Sequence, residues 1–188
     1  ITTTEEMLFL VLPLVIYAGW CPVHPPVWPD QFVLVQRRTP DETASVDMAT
    51  TVTYYDNLAG ANLIQITPDV NMSDVLWDLE LASGHSFYFT PARQSCKPMD
   101  FPVGILRPDW LANAKLIGTH IMVNGRLCIG WTKEDFIDYY ADAETCEPVS
   151  WYFHTMKARF DTIYYRPGET AGAIMFKPPS YCSQPKIS

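Results

Sequence analysis

Five cysteines, four histidines and a dense run of carboxylates are the groups in this sequence with chemistry to offer. His24, His85, His120 and His154 lie far apart, and no G-x-S-x-G, H-E-x-x-H or phosphate-binding glycine loop accompanies them. His120 falls in an apolar stretch with Met122 and Trp131, where a buried imidazole would serve as a general base near neutral pH. No partnered nucleophile stands near it, so a core histidine with its hydrogen bonds met is the simpler reading. Cys128 alternates with Leu127 and Ile129 and faces away from them. With only Arg126 close in sequence to lower its pKa, it reads as an inert buried thiol. Glu134, Asp135, Asp138, Asp142, Glu144 and Glu147 could supply the paired carboxylates of a glycosidase or oxygen ligands for weak calcium binding. Their spacing matches no EF-hand loop, and a solvated acidic edge accounts for them. The cysteines form no C-x-x-C pair and have no histidine at zinc spacing, so no metal site is expected.

The chain that must position these groups carries 13 Lys plus Arg against 21 Asp plus Glu, a formal charge of −8, which makes nucleic acid a poor partner. At 48% apolar and 18% charged, 188 residues can bury the core of one folded domain. Scattered cysteines suit an oxidising compartment, and Asn71-Met72-Ser73 is a glycosylation acceptor between two apolar segments. Residues 7–20 are strongly apolar but interrupted by Pro13, and as a helix they would span only ~20 Å of a ~30 Å hydrocarbon core. Ala18-Gly19 suits the end of a secretory signal, although Glu5 and Glu6 stand where basic residues are expected. Residues 1–20 are therefore read as a targeting remnant, or as a retained arm that meets a partner or a membrane. Residues 21–188 are read as a single domain.

Aromatics at 13% and 16 prolines favour short strands joined by turns. Strands are predicted over residues 31–36, 48–55 and 62–67. Next, Val75, Trp77, Leu79 and Leu81 alternate with Leu76, Asp78, Glu80 and Ala82, and Ser83-Gly84 turns the chain into His85–Thr90. That is a hairpin with one apolar face. Asn124-Gly125 is a type I′ turn signal between residues 116–123 and 126–131. Its two-residue loop sets Met122 opposite Leu127 and His120 opposite Ile129, gathering Leu116, His120, Met122, Leu127, Ile129 and Trp131 on one face. Further strands are predicted at 149–156, 158–165 and 171–176. Helical signals are short: residues 108–114, and Thr132 with Asp135 as a capping pair before Phe136. The expected fold is mainly β, an antiparallel meander with one or two short helices.

Four segments in order resemble the ependymin-related proteins: residues 52–57 as the strand V-x-Y-Y-D-N, Gln94-Ser95-Cys96-Lys97-Pro98-Met99, Glu144-Thr145-Cys146-Glu147-Pro148-Val149, and Phe176-Lys177-Pro178-Pro179-Ser180-Tyr181-Cys182. Residues 103–111 with 131–140 are also similar to uncharacterised secreted plant proteins. The resemblance implies a strongly curved half-barrel sheet, similar to bacterial lipoprotein carriers, whose concave side holds lipid-like ligands. It implies secreted or lysosomal glycoproteins that often dimerise. It also implies Cys21 bridged to Cys146 and Cys96 bridged to Cys182, with Cys128 a free thiol. The 21–188 unit would then be one ependymin-like β domain.

The function expected is that of a secreted or lumenal, non-enzymatic protein holding a fatty acid or another lipid. Candidate pocket residues are Trp77, Leu79, Phe87, Phe89, Leu116, His120, Met122, Ile129, Trp131, Trp151 and Phe153, which would serve equally as a filled core. No cofactor is expected beyond a bound lipid and weak calcium, and self-association is the expected partnership. The alternative is an adhesion or assembly subunit whose residues 8–16 pack on a neighbour or add a strand to a sheet edge. A carbohydrate-active enzyme resting on the acidic cluster and His120 is the third reading.

Overall fold

In the computed structural model, which describes residues 20–101 and 104–182, the period-2 alternation becomes eleven antiparallel strands in one sheet. They are β1 (Gln31–Pro40), β2 (Ala49–Asp56), β3 (Ala61–Pro68), β4 (Leu76–Leu81), β5 (His85–Thr90) and β6 (Ser95–Asp100), then β7 (Lys115–Val123), β8 (Arg126–Lys133), β9 (Ile137–Asp142), β10 (Pro148–Phe153) and β11 (Ala158–Pro167). The spatial order is β6-β5-β4-β3-β2-β1-β11-β10-β9-β8-β7. Two meanders, β1 to β6 and β7 to β11, are thus zipped together where β1 pairs with β11. The sheet is not closed, and β6 and β7 are its edges. Among the described residues, helical structure is confined to the short 3-10 turns Pro91–Arg93, Ala173–Phe176 and Ser180–Cys182. Of the targeting remnant or retained arm expected over residues 1–20, residues 1–19 lie outside the described residues.

Register decides which side chains share a face. One face, here the inner face, carries Phe32, Leu34, Gln36 and Arg38 of β1, with Tyr55, Thr53, Thr51 and Ala49 opposite them on β2. On the other side of β1 it continues through Phe160 and Ala158 of β11, Trp151 and Phe153 of β10, Tyr139 and Ile137 of β9, and Trp131 of β8. Trp28 plugs this half: its ring lies 5.4 Å from that of Tyr55 and 5.5 Å from that of Trp151, three strand spacings away. The two outer rings are therefore at most about 11 Å apart, where three spacings of a flat sheet would separate their strands by about 14 Å. The inner face is concave there, and Trp110, Leu111 and Ile105 from the loop before β7 help fill it.

The outer face of β3 to β5 is covered differently. Leu63, Leu79 and Phe89 pack under Ala171, Phe176 and Cys182 of the C-terminal segment, which a bridge from Cys182 to Cys96 on β6 fastens down. A second bridge joins Cys21 to Cys146 and ties the segment before β1 to the turn after β9. These are the two pairings that the ependymin resemblance implies, and Cys128 is a free, buried thiol. Bridges of this kind are compatible with an extracellular or lumenal protein. No helix among the described residues is long and apolar enough to cross a membrane.

Three local expectations are corrected. Residues 108–114 form no helix but a run of separate turns, with the amides of Trp110, Ala112 and Ala114 bonded to Arg107, Asp109 and Leu111 and Asn113 at φ +67. Thr132 and Asp135 do not cap a helix, because Glu134 and Asp135 both have positive φ and close a β8–β9 hairpin in the manner of a type I′ turn. Residues 171–176 are not a strand: they cross the outer face and end in the turn Ala173–Phe176, packing over the apolar side of β3 to β5 instead of pairing at a sheet edge. Strands β6 and β9 were not foreseen. The first is polar and contains Pro98, as an edge strand tolerates, and the second was hidden by the capping pattern before it.

Candidate functional site

The sheet does not bring the eleven predicted pocket residues together. Trp77, Leu79, Phe87 and Phe89 all point to the outer face, beneath the C-terminal segment. Ile129, Trp131, Trp151 and Phe153 belong to the aromatic filling of the inner face. Leu116 and Met122 are on the β7 edge and largely exposed, at 47% and 65%. Met122 does face Leu127, but His120 does not face Ile129: between the pairs Gly118 to Gly130 and Ile121 to Cys128, both Thr119 and His120 oppose the single Ile129. This bulge turns His120 out to solvent, where its Nδ1 lies 2.9 Å from Thr119 Oγ1.

With its apolar side turned outward, the β4–β5 hairpin presents its polar side to the concave face. Asn62, Glu80 and Ser86 form one cross-strand row, continuing from Tyr55 of β2, and Ile64, Asp78 and Tyr88 form the next. Successive rows are about 7 Å apart along the strands. Beyond them Ile66 and Leu76 pair in a third row. None of these β3, β4 and β5 side chains belongs to either hydrophobic cluster. The end of the strip is closed by the loop after β6. Gly104 adopts φ +60 where an added Cβ would lie 2.9 Å from the Ala82 carbonyl oxygen, and the Tyr55 hydroxyl donates to the Leu106 carbonyl at 2.7 Å.

The strip is electrostatically unusual. Asp78 is only 7% exposed and Ser86 1%. Burial pushes the Asp78 carboxyl up to about 8, with the Glu80 charge adding to the rise and a hydrogen bond from Tyr88 opposing it. Burial raises Glu80 as well, against the hydrogen bond that Asn62 Nδ2 donates to its Oε2 at 2.8 Å. The Tyr88 phenol is also raised, first by burial and then by the Asp78 charge. Asn62 Oδ1, Asp78 Oδ1 and Ser86 Oγ are all buried and have no hydrogen-bond partner among the described residues. Buried polar atoms are nearly always paired, so three orphans in two adjacent rows make this strip the candidate site. The signal was present in the sequence as the positions alternating with Trp77, Leu79 and Leu81, but it could not be weighed without knowing which face is concave.

The other candidates are occupied by structural duties. Asp142 accepts hydrogen bonds from Arg126 and from the amides of Glu144 and Thr145, which hold its carboxyl below the ordinary carboxylate range despite burial, and so it caps the β9–β10 turn. Asp138 lies 3.1 Å from His154 Nε2 on the outer face. No group of three or more His, Cys, Asp or Glu among the described residues is placed to hold a metal ion. His85 pairs with Asp100 at the exposed hairpin end, and exposed His24 lies 3.2 Å from the Pro25 carbonyl. Burial raises the Cys128 thiol, with the Asp142 charge next in effect. Asn71 is exposed in the turn before β4, accepting from Ser73 Oγ at 2.7 Å. A cleft of about 570 Å³ lies against the loop before β7, where Arg107 pairs with Asp109 and Lys133 donates to the Trp110 and Ala112 carbonyls.

No curated protein matches this chain. Its fold is similar to that of an uncharacterized conserved protein from Thermus thermophilus, with a TM-score of 0.57 at 7% identity over 81% of this chain and 87% of that one. A weaker likeness, with a TM-score of 0.35 at 12% identity, covers 85% of this chain and 61% of MucB. The sequence from residue 27 to 182 matches a family model described as a domain of unknown function, DUF8395, and the chain belongs to that family.

Proposed function

We propose that this chain is a secreted, non-enzymatic protein that binds a lipid-like molecule on the concave face of its sheet, seated on β3 to β5. The aromatic half is filled by Trp28 and its neighbours, so the seat moves away from the residues first expected to line it. The observation that carries this reading is the set of buried, unpartnered atoms Asn62 Oδ1, Asp78 Oδ1 and Ser86 Oγ on the same inner face as Ile64, Ile66 and Leu76, which belong to neither hydrophobic cluster. The ependymin resemblance and the two disulfides are consistent with it. Burying about ten methylenes at ~0.8 kcal/mol each leaves enough, after ordering costs, for micromolar binding without any reacting group. Native mass spectrometry of gently extracted protein, followed by titration with a fluorescent fatty-alkyl probe, is the test. A copurifying lipid or saturable uptake is expected. A ligand-free preparation that takes up no probe would overturn the reading.

A second reading, assembly through the β7 edge, is favoured by Leu116, Ile117 and Met122 exposed along that strand and by the Trp20 ring 6.4 Å from His120. Sedimentation velocity of the whole chain separates the two, since assembly requires a concentration-dependent oligomer that Met122→Lys abolishes with probe uptake unchanged.

A further inference from the structure

We infer that the polar strip is a receptor for the ammonium head of a long-chain amine, with the alkyl chain lying along Ile64, Ile66 and Leu76. This rests on the carrier reading above and adds the chemistry of the head group. The unpartnered atoms are the basis. Asn62 donates through Nδ2 to Glu80, which fixes its amide so that Oδ1 is the orphan acceptor. Asp78 Oδ1 is a second acceptor, and Ser86 Oγ can be a third. A protonated primary amine has three donors and no acceptor, so it suits a strip whose orphan atoms can all accept, with Asp78 and Glu80 supplying the opposing charge. A carboxylate head would instead be repelled by Asp78 and Glu80 wherever they are ionised and would bring no donor to the Asn62 Oδ1 orphan. The one cation in these rows among the described residues is Lys97, which stands opposite Tyr88 on the edge strand and is exposed. Arg38 shares the inner face but lies on β1 and donates to the Asp47 carbonyl.

The tail direction follows from register. The head sits among the first two rows, and the third row, Ile66 with Leu76, continues the same face away from the loop that closes the strip. The inner-face side chains of β2 beside this path, Thr51 and Thr53, are uncharged. Titratable and charged groups around the head are thus Asp78 and Glu80 on β4, Tyr88 on β5, Tyr55 on β2 and Lys97 on β6, with the Arg107–Asp109 pair on the loop that closes the strip and Asp30 near Tyr55. Because burial keeps the Asp78 carboxyl neutral up to about pH 8, an arriving ammonium must release the proton of that carboxyl. Affinity for the amine therefore rises with pH until the amine itself loses its charge, by up to about tenfold per pH unit for each proton released.

The test is calorimetric titration of the full chain with dodecylamine, dodecanol and dodecanoate, each below its micelle concentration, at pH 6 and pH 8. Dodecylamine is expected to bind at least about tenfold tighter than either competitor at pH 8, and its advantage over dodecanol should shrink at pH 6. Asp78→Asn and Glu80→Gln should each reduce the preference for the amine over the alcohol while leaving dodecanol affinity within about threefold. Dodecanoate binding as well as dodecylamine, or an amine preference that survives both substitutions, overturns the head-group assignment and leaves the carrier reading standing. Failure of all three probes to bind overturns the carrier reading and this inference with it.

Discussion

Tyr88 stands directly opposite Asp78 across β4 and β5 and donates its phenol hydrogen to a carboxyl whose Oδ1 is buried without a partner. One hydrogen bond does not offset the loss of water around the ionised group, so the carboxyl is held in its neutral form up to about pH 8. A group whose pKa is raised on folding contributes stability that is whole below its unfolded pKa, near 4, and lost as pH rises through its folded pKa. Stability of the ligand-free protein should therefore fall by several kcal/mol between pH 5 and pH 9. Glu80 acts in the same direction. Urea unfolding at both pH values checks this, and Asp78→Asn should flatten the dependence. The exposed or half-exposed acids that are lowered, Asp69, Asp109 and Asp142, act below about pH 4 and leave this window undisturbed.

Trp28 holds the two halves of the concave face together through contacts with Phe32, Tyr55, Trp110 and Trp151. Trp28→Ala should cost about 3 to 5 kcal/mol, the usual loss for deleting a large aromatic packed on several sides. Chemical denaturation followed by far-ultraviolet circular dichroism would show it. A loss under about 1 kcal/mol would mean that the aromatic half is not packed around this ring.

The Cys96–Cys182 bridge spans 86 residues and presses the C-terminal segment onto Leu63, Leu79 and Phe89. Replacing both cysteines by serine should cost about 4 to 5 kcal/mol in the chain-entropy account. It should also raise the binding of a hydrophobic dye, because the outer face of β3 to β5 has no other cover among the described residues.

Two glycines at positive φ separate conformational strain from collision. Gly84 has φ +89, and a Cβ there would sit 2.7 Å from the Phe101 carbonyl oxygen, whereas Gly125 has φ +77 with open space around it. Gly125→Ala should cost about 1 kcal/mol from backbone strain alone, and Gly84→Ala about 2 kcal/mol or more. Thermal melts of the two variants give the comparison, and equal losses would refute the collision.

Cys128 is fully buried, and its thiol is raised by burial and by Asp142. A thiol reagent should leave it unmodified in the native protein and titrate one equivalent in denaturant without reductant. Fast modification under native conditions would show that the β7–β9 edge opens.

Much of the sheet was legible because strand physics is local. His85–Thr90, the Asn124-Gly125 turn and the pairing of Met122 with Leu127 follow from alternation and turn chemistry alone. The misreadings share a cause. Glu134 and Asp135 closed a hairpin where the capping pattern suggested a helix, because a sheet offering β8 as a neighbour outweighs a local preference for helix. The bulge at Thr119 and His120 is likewise invisible to a period-2 count, which assumes one residue opposite one residue.

The candidate site shows the division most clearly. Alternation by itself determined that Trp77 and Leu79 oppose Asp78 and Glu80 across the β4 strand, and turn chemistry joined that strand to β5. Which side of it faces the hollow was decided only by the tertiary structure. Covering the outer face with a C-terminal segment from residues 171–182 makes the apolar side the outward one. The reason is physical: a strand fixes the relation between its two faces within a few residues, but the cover for each face comes from chain far away in sequence.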